Sequence, residues 1–140
     1  MFSKLSLAQL EQFIVDSERQ TSAEIRIRIE SNCPEKFVID RALEVFKELE
    51  MHQTKLQNGV LFYLSTDDKQ FAVLGDKGIH KLVGQPFWDE VKNNALRFFK
   101  VNKHKEGLEF AISQVLIQLK SHFPYQENDI NELPNEVSTK

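Results

Sequence analysis

Glu24, His52, Asp76 and His80 are of the types that hold a metal ion. Carboxylate oxygens mixed with imidazole nitrogens suit zinc, manganese and similar cations. Asp76 sits in Gly75-Asp76-Lys77-Gly78, with His80 one helical turn further on. The flanking glycines would let the backbone approach a ligand closely. A second set is the adjacent pair Asp67 and Asp68, oxygen ligands of the kind magnesium and calcium prefer. Each set has a structural alternative. Asp76 could cap a short helix, and no two of the first four residues have a diagnostic metal spacing. Asp67 and Asp68 could form a solvated turn, where aspartate is common.

Other groups carry weaker signals. Arg97, Lys100, Lys103, His104 and Lys105 could bind phosphate or an acidic partner. The reading preferred for them is the solvated end of the third helix, whose dipole favours positive charge. Trp88 falls in an apolar helical stripe and reads as core. Cys33 has no histidine beside it in sequence and reads as structural rather than nucleophilic. There is no G-x-S-x-G, no P-loop and no Rossmann glycine fingerprint, so no catalytic residue can be named.

The elements that must position these residues centre on Asn58–Ile79. Val60–Leu64 is apolar at every position, which reads as a strand buried on both faces. The turn STDDKQ is too short for a crossover, so Phe71–Leu74 returns antiparallel. Upstream, Thr21–Ser31 reads as the first strand: Ile25, Ile27 and Ile29 alternate with Arg26, Arg28 and Glu30, one buried face and one polar face, solvent-exposed or partly covered with its charged tips snorkelling. A helix between this strand and Val60 makes the pair a parallel, right-handed βαβ unit.

Around the sheet the periodicity predicts four helices. The first carries a Ser6–Gln9 capping box and runs to about Glu18. The second has Pro34 in its first turn and ends near Met51. Ile79–Val83 reads as a short helical turn, Pro86 opens the third helix, VNKHKEG is a polar connection, and Leu108–Phe123 is the fourth helix, stopped by Pro124. The fold class is therefore α/β, a three-layer α/β/α sandwich around a small mixed sheet. Residues 1–124 form one domain, and 125–140 form a polar tail that could be disordered or could dock through Tyr125, Ile130, Leu133 and Val137; the expectation is partial docking of its first half and fraying of its last few residues.

This topology sorts the acidic residues. Strands rising ~3.3 Å per residue over about six residues put the sheet ends ~20 Å apart. Asp67 and Asp68 fall at one end with Glu30 and Ser31. Asp76 falls at the other, near Glu24 and His52. One small site cannot use both groups.

Composition sets outer limits. The 140 residues carry a formal net charge of -3, which argues against gripping a nucleic-acid backbone. A single cysteine excludes an internal disulfide and fits a reducing compartment. The N-terminus lacks a signal-peptide pattern, and the longest apolar run is far short of the ~20 residues that span a bilayer. The expectation is a cytoplasmic protein with no nucleic-acid or membrane partner, monomeric, with an unidentified protein partner allowed.

NGVLFYLS, a short acidic turn and FAVLGDKGI together resemble the TPM domain family. TSAEIRI is similar to that family's first strand, and Phe87-Trp88-Asp89 with Gly107 fits its later part, so the resemblance covers roughly Leu7–Phe123. It implies the same α/β/α sandwich. Members of the family are linked with photosystem II repair in plants, with acid phosphatase activity in some cases, and with divalent cations such as calcium. Here Gln57 stands where the family often has aspartate, and Gly75-Asp76-Lys77-Gly78 where it often has Gly-Tyr-Gly-x-Glu. The functional expectation is a divalent-cation-binding module (calcium, magnesium or zinc) or a protein-interaction module. The alternative is a weak metal-dependent acid phosphatase acting on phosphate monoesters.

Overall fold

Three isoleucines fix how the sheet is covered. In the computed structural model, which describes residues 2–126 and 137–139, Ile25, Ile27 and Ile29 of strand β1 (Ile25–Glu30) all point into one large core cluster. That cluster also takes Val60, Phe62 and Leu64 of β2 (Val60–Ser65) and Phe71 and Val73 of β3 (Gln70–Gly75). Helices α1 (Lys4–Glu18), α4 (Gln85–Lys100) and α5 (His104–His122) close it from above. On the opposite face Leu61, Tyr63 and Ala72 meet Ala42, Val45 and Phe46 of α2 (Val38–Glu48). Alternate side chains of one strand thus enter different cores, as the pleat requires.

Among the described residues the sheet has the order β3-β2-β1-β4. β1 and β2 are parallel and β2 and β3 antiparallel, giving the expected mixed sheet between helical layers. A short helix α3 (Lys77–Val83) follows β3.

Several details differ from the sequence reading. Helix α1 begins a turn early, because Ser3 rather than Ser6 is the N-cap and accepts from the Ser6 N–H at 3.0 Å. Pro34 lies in a loop, not in a first helical turn. The Cys33 N–H just before it donates to the Asp68 carboxylate, which ties that loop to the hairpin and delays α2 until Val38. Helix α5 starts at His104 and includes the last four residues of the expected connection, which is left as Val101–Lys103. Gly107 makes this possible, since a Cβ there would lie 2.6 Å from Phe99.

The polar face of β1 is the largest surprise. Arg26, Arg28 and Glu30 are all buried, not solvated. α2 supplies the balancing charges for two of them: Arg41 donates to Glu30, and Glu48 pairs with Arg28. The end of the chain also differs. Ser138 and Thr139, expected to fray, form β4 parallel to β1, and the Arg28 Nε–H donates to Ser138 Oγ at 2.7 Å. Val137 packs on the large core, while Ile130 and Leu133 lie outside the described residues. No helix among the described residues is long and apolar enough to cross a membrane.

Candidate functional site

Two clefts sit at opposite ends of the sheet, and the predicted residues divide between them. At the carboxyl ends of β1 and β2 lies a cleft of about 460 Å³ lined by Ser31, Thr66, Asp67, Lys69, Asn102 and His104, with Glu30 at its inner side. This edge of an open α/β sheet is where ligands favour binding.

Two turns aim residues into it. The hairpin between β2 and β3 closes with Lys69 in the left-handed region, φ 53°. Helix α4 ends with Asn102 at φ 60°, its N–H donating to Phe99 O at 3.1 Å and the Lys103 N–H to Phe98 O at 3.0 Å. That bond pair is a Schellman cap, which asparagine tolerates in place of glycine. It turns the chain sharply so that His104 stacks on Phe99, with ring centroids 5.7 Å apart. Burial pushes the His104 pKa down, and the nearby Lys69 charge adds to this, so the imidazole is neutral at neutral pH.

The two adjacent aspartates have different jobs. Asp68 Oδ2 accepts from the Cys33 N–H at 2.5 Å and from Ser65 Oγ at 3.0 Å, so it fastens the hairpin. Asp67 donates its backbone N–H to Ser31 O at 2.8 Å, while its carboxylate has no hydrogen bond or ion pair among the described residues. Glu30 is occupied: it accepts from Arg41, Arg28 and Tyr63, and those bonds outweigh the penalty of burial and hold its carboxyl at about 2.

At the other end, His52, Asp76 and His80 do line one groove, of about 370 Å³. Glu24 does not join them. It is buried against Glu18, whose carboxyl is pushed up by burial and by the Glu24 charge. Asp76 caps α3, its Oδ1 accepting from the Lys77 N–H at 2.8 Å, and its Oδ2 is buried without a partner. The Trp88 indole N–H donates to His80 Nδ1 at 2.9 Å. The flanking glycines answer to packing rather than to a ligand: a Cβ on Gly75 would lie 2.3 Å from the Trp88 ring, and one on Gly78 2.3 Å from Leu56 O. Among the described residues no three of His, Cys, Asp and Glu gather closely enough to hold a metal ion.

The basic cluster also divides. His104 faces the carboxyl-edge cleft, whereas Arg97 and Lys103 line a shallow groove between α4 and α5 with Phe98, Val101 and Phe110. Lys69, Asn102 and His104 as a set were not foreseen. The signal available was the position of the β2–β3 turn and the α4–α5 turn, both at the carboxyl edge of the parallel pair.

Comparison with known proteins adds the following. The family model described as the TPM domain matches residues 1–117. No curated protein matches the chain. The NMR structure of the BA42 protein from the psychrophilic bacterium Bizionia argentinensis is similar over 100% of this chain and 96% of that one, at 40% identity and a TM-score of 0.90. The N-terminal domain of a P. gingivalis protein is 15% identical over 90% of this chain and 83% of that one, with a TM-score of 0.71. The N-terminal domain of the cg2496 protein from Corynebacterium glutamicum is 12% identical over 94% and 82%, with a TM-score of 0.64. These last two likenesses speak to the fold alone.

Proposed function

The chain belongs to the TPM domain family, and we propose that it works as a binding module that takes a divalent cation on Asp67 in the carboxyl-edge cleft. One observation carries this reading. The Asp67 carboxylate is free of protein partners among the described residues and lines a cleft that also holds Ser31 and Thr66. Oxygen donors of this kind fit calcium or magnesium. They do not fit zinc, whose preferred imidazole ligands His52 and His80 lie at the far end of the sheet. A single carboxylate among neutral oxygens leaves most of the coordination to water, so the affinity expected is of order millimolar.

The test is a titration with calcium chloride and with magnesium chloride, followed by amide NMR shifts and by melting temperature. The Ser31, Thr66 and Asp67 amides should move, the protein should gain stability by mass action, and Asp67→Asn should abolish both effects while Asp76→Asn leaves them. Shifts that survive Asp67→Asn, or none with either ion, would overturn the reading.

A second reading, weak hydrolysis of phosphate monoesters, is favoured by Lys69 and His104 sharing the cleft with Asp67. The Lys69 ammonium would orient the phosphate dianion, and neutral His104 would take a proton from the attacking water. A cation on Asp67 would supply further positive charge beside the phosphoryl oxygens. Phosphate release from p-nitrophenyl phosphate that is unchanged by Lys69→Ala and by His104→Ala would sink it.

A further inference from the structure

The groove at the amino edge of the parallel pair has a composition unlike the carboxyl-edge cleft. Leu43, Phe46 and Leu74 make an apolar floor, and Leu43 is 43% exposed there. Lys47, from the last turn of α2, and Lys77, from the first turn of α3, stand on its rim. Neither ammonium makes an ion pair or a side-chain hydrogen bond among the described residues.

His80 completes the rim as a fixed donor. An indole N–H can only donate, so the Trp88 bond requires an unprotonated His80 Nδ1. The neutral ring then carries its proton on Nε2. That tautomer cannot ligate a metal through Nε2 but can donate to an anion. The one carboxylate of the groove, Asp76, works against an anion, but Oδ1 is turned to the Lys77 N–H, Oδ2 is shut away from solvent, and the two ammoniums outnumber it. The groove is thus an apolar slot edged by two free cations and an N–H.

We propose that this groove binds an apolar monocarboxylate, such as a medium-chain fatty acid or an arylalkanoate. The hydrocarbon lies on Leu43, Phe46 and Leu74, and the carboxylate sits among Lys47, Lys77 and His80 Nε2–H. Charge complementarity selects an anion over a cation or a neutral lipid. The volume, about 370 Å³, lies at the small end of the range for small-molecule pockets, where an apolar lining and a few convergent polar groups are the norm.

Octanoate is the probe, with octanol as its uncharged counterpart. In an amide NMR titration, octanoate should move the Leu43, Leu74 and Lys77 signals, and octanol should bind at least tenfold more weakly. The double variant Lys47→Glu/Lys77→Glu changes two exposed side chains. It should fold normally and lose octanoate binding by about tenfold or more. Histidine nitrogen shifts should show the His80 proton on Nε2. The proposal is overturned if octanoate leaves these signals in place, if octanol binds as well as octanoate, or if the double variant binds unchanged. It is also overturned if an acidic leucine-containing peptide moves the signals when octanoate does not, which would assign the groove to a protein partner. Calcium plays no part, so this outcome and that at Asp67 are read separately.

Discussion

The Arg41 guanidinium grips both carboxylate oxygens of Glu30, from Nε to Oε1 at 3.0 Å and from Nη2 to Oε2 at 2.6 Å. Such two-pronged contacts are the strongest geometry for a charged pair. Tyr63 and Arg28 donate to the same carboxylate, at 2.7 Å and 3.0 Å. The cluster joins β1, β2 and α2 beneath the helix, and through Arg28 it also holds Ser138 of β4.

The first prediction concerns acid stability. Burial opposes the Glu30 charge, but the bonds from Arg41, Tyr63 and Arg28 win and bring its carboxyl from 4.5 to about 2. A depressed folded-state value gives stability that is complete above the unfolded value and lost as pH falls through the folded one. Glu30→Gln should therefore cost about 3 kcal/mol at neutral pH, because it leaves two buried guanidiniums short of charge. It should also flatten the loss of stability between about pH 4.5 and about pH 2. Urea unfolding across that range measures both. An unchanged acid limb would show that Glu30 is not the group responsible.

The second prediction has the opposite sign. Glu18 Oε2 accepts from the Ile25 N–H at 2.7 Å, at the edge of β1, with Glu24 beside it. Burial, reinforced by Glu24, raises the Glu18 carboxyl to about 8, so it holds its proton at neutral pH. A raised folded value gives stability that is complete below the unfolded value and is lost as pH rises through the folded one. The protein should weaken between about pH 5 and about pH 8. Glu18→Gln keeps the shape without the ionisation, so the mutant should be the more stable of the two at pH 8, by roughly 1–3 kcal/mol. Parallel pH profiles of wild type and mutant would contradict this.

These two predictions come from residues whose roles the sequence left open, and the reason is physical. The apolar pattern fixes elements because it is local: the unbroken run Val60–Leu64 is buried on both faces, and the short turn after it forces β3 to return antiparallel. The alternation in β1 fixes only which residues share a face. Whether Arg28 and Glu30 meet water or α2 depends on Arg41 and Glu48, which lie on a helix whose rotation no local pattern sets. The site divides in the same way. The separation of Asp67 from Asp76 follows from strand length alone and is legible. The separation of Glu24 from Asp76 is not, because it turns on the Glu18 carboxyl beside the first strand. Nor is the approach of His104 to Asp67, which depends on the turn at Asn102.

The third prediction separates the adjacent aspartates. Asp68→Ala removes an acceptor from the Cys33 N–H and from Ser65 Oγ, and should cost about 1–2 kcal/mol. Asp67→Ala removes no side-chain bond to the protein and should lie within about 0.5 kcal/mol of wild type. Thermal melts without added divalent ions make the comparison. Equal losses at the two positions would mean that Asp67 also serves the hairpin.

The fourth prediction asks what the glycines around Asp76 are for. If they served a ligand, Gly78→Ala would fold normally and lose binding. The geometry says otherwise. A Cβ on Gly78 would lie 2.3 Å from Leu56 O and 2.6 Å from Gln57 O, both backbone atoms, while the Gly78 N–H donates to Gln57 O at 2.7 Å. The start of α3 is held against the loop before β2 by that contact, and neither side can yield by a rotamer change. Gly78→Ala should cost on the order of 2–3 kcal/mol through overpacking. Gly59 provides the control, since its added Cβ would come no closer than 3.4 Å, to the flexible end of Met51. Gly59→Ala should stay within about 0.5 kcal/mol of wild type. Chemical unfolding of both variants gives the answer. A stable Gly78→Ala protein would return the glycine to a role in ligand approach.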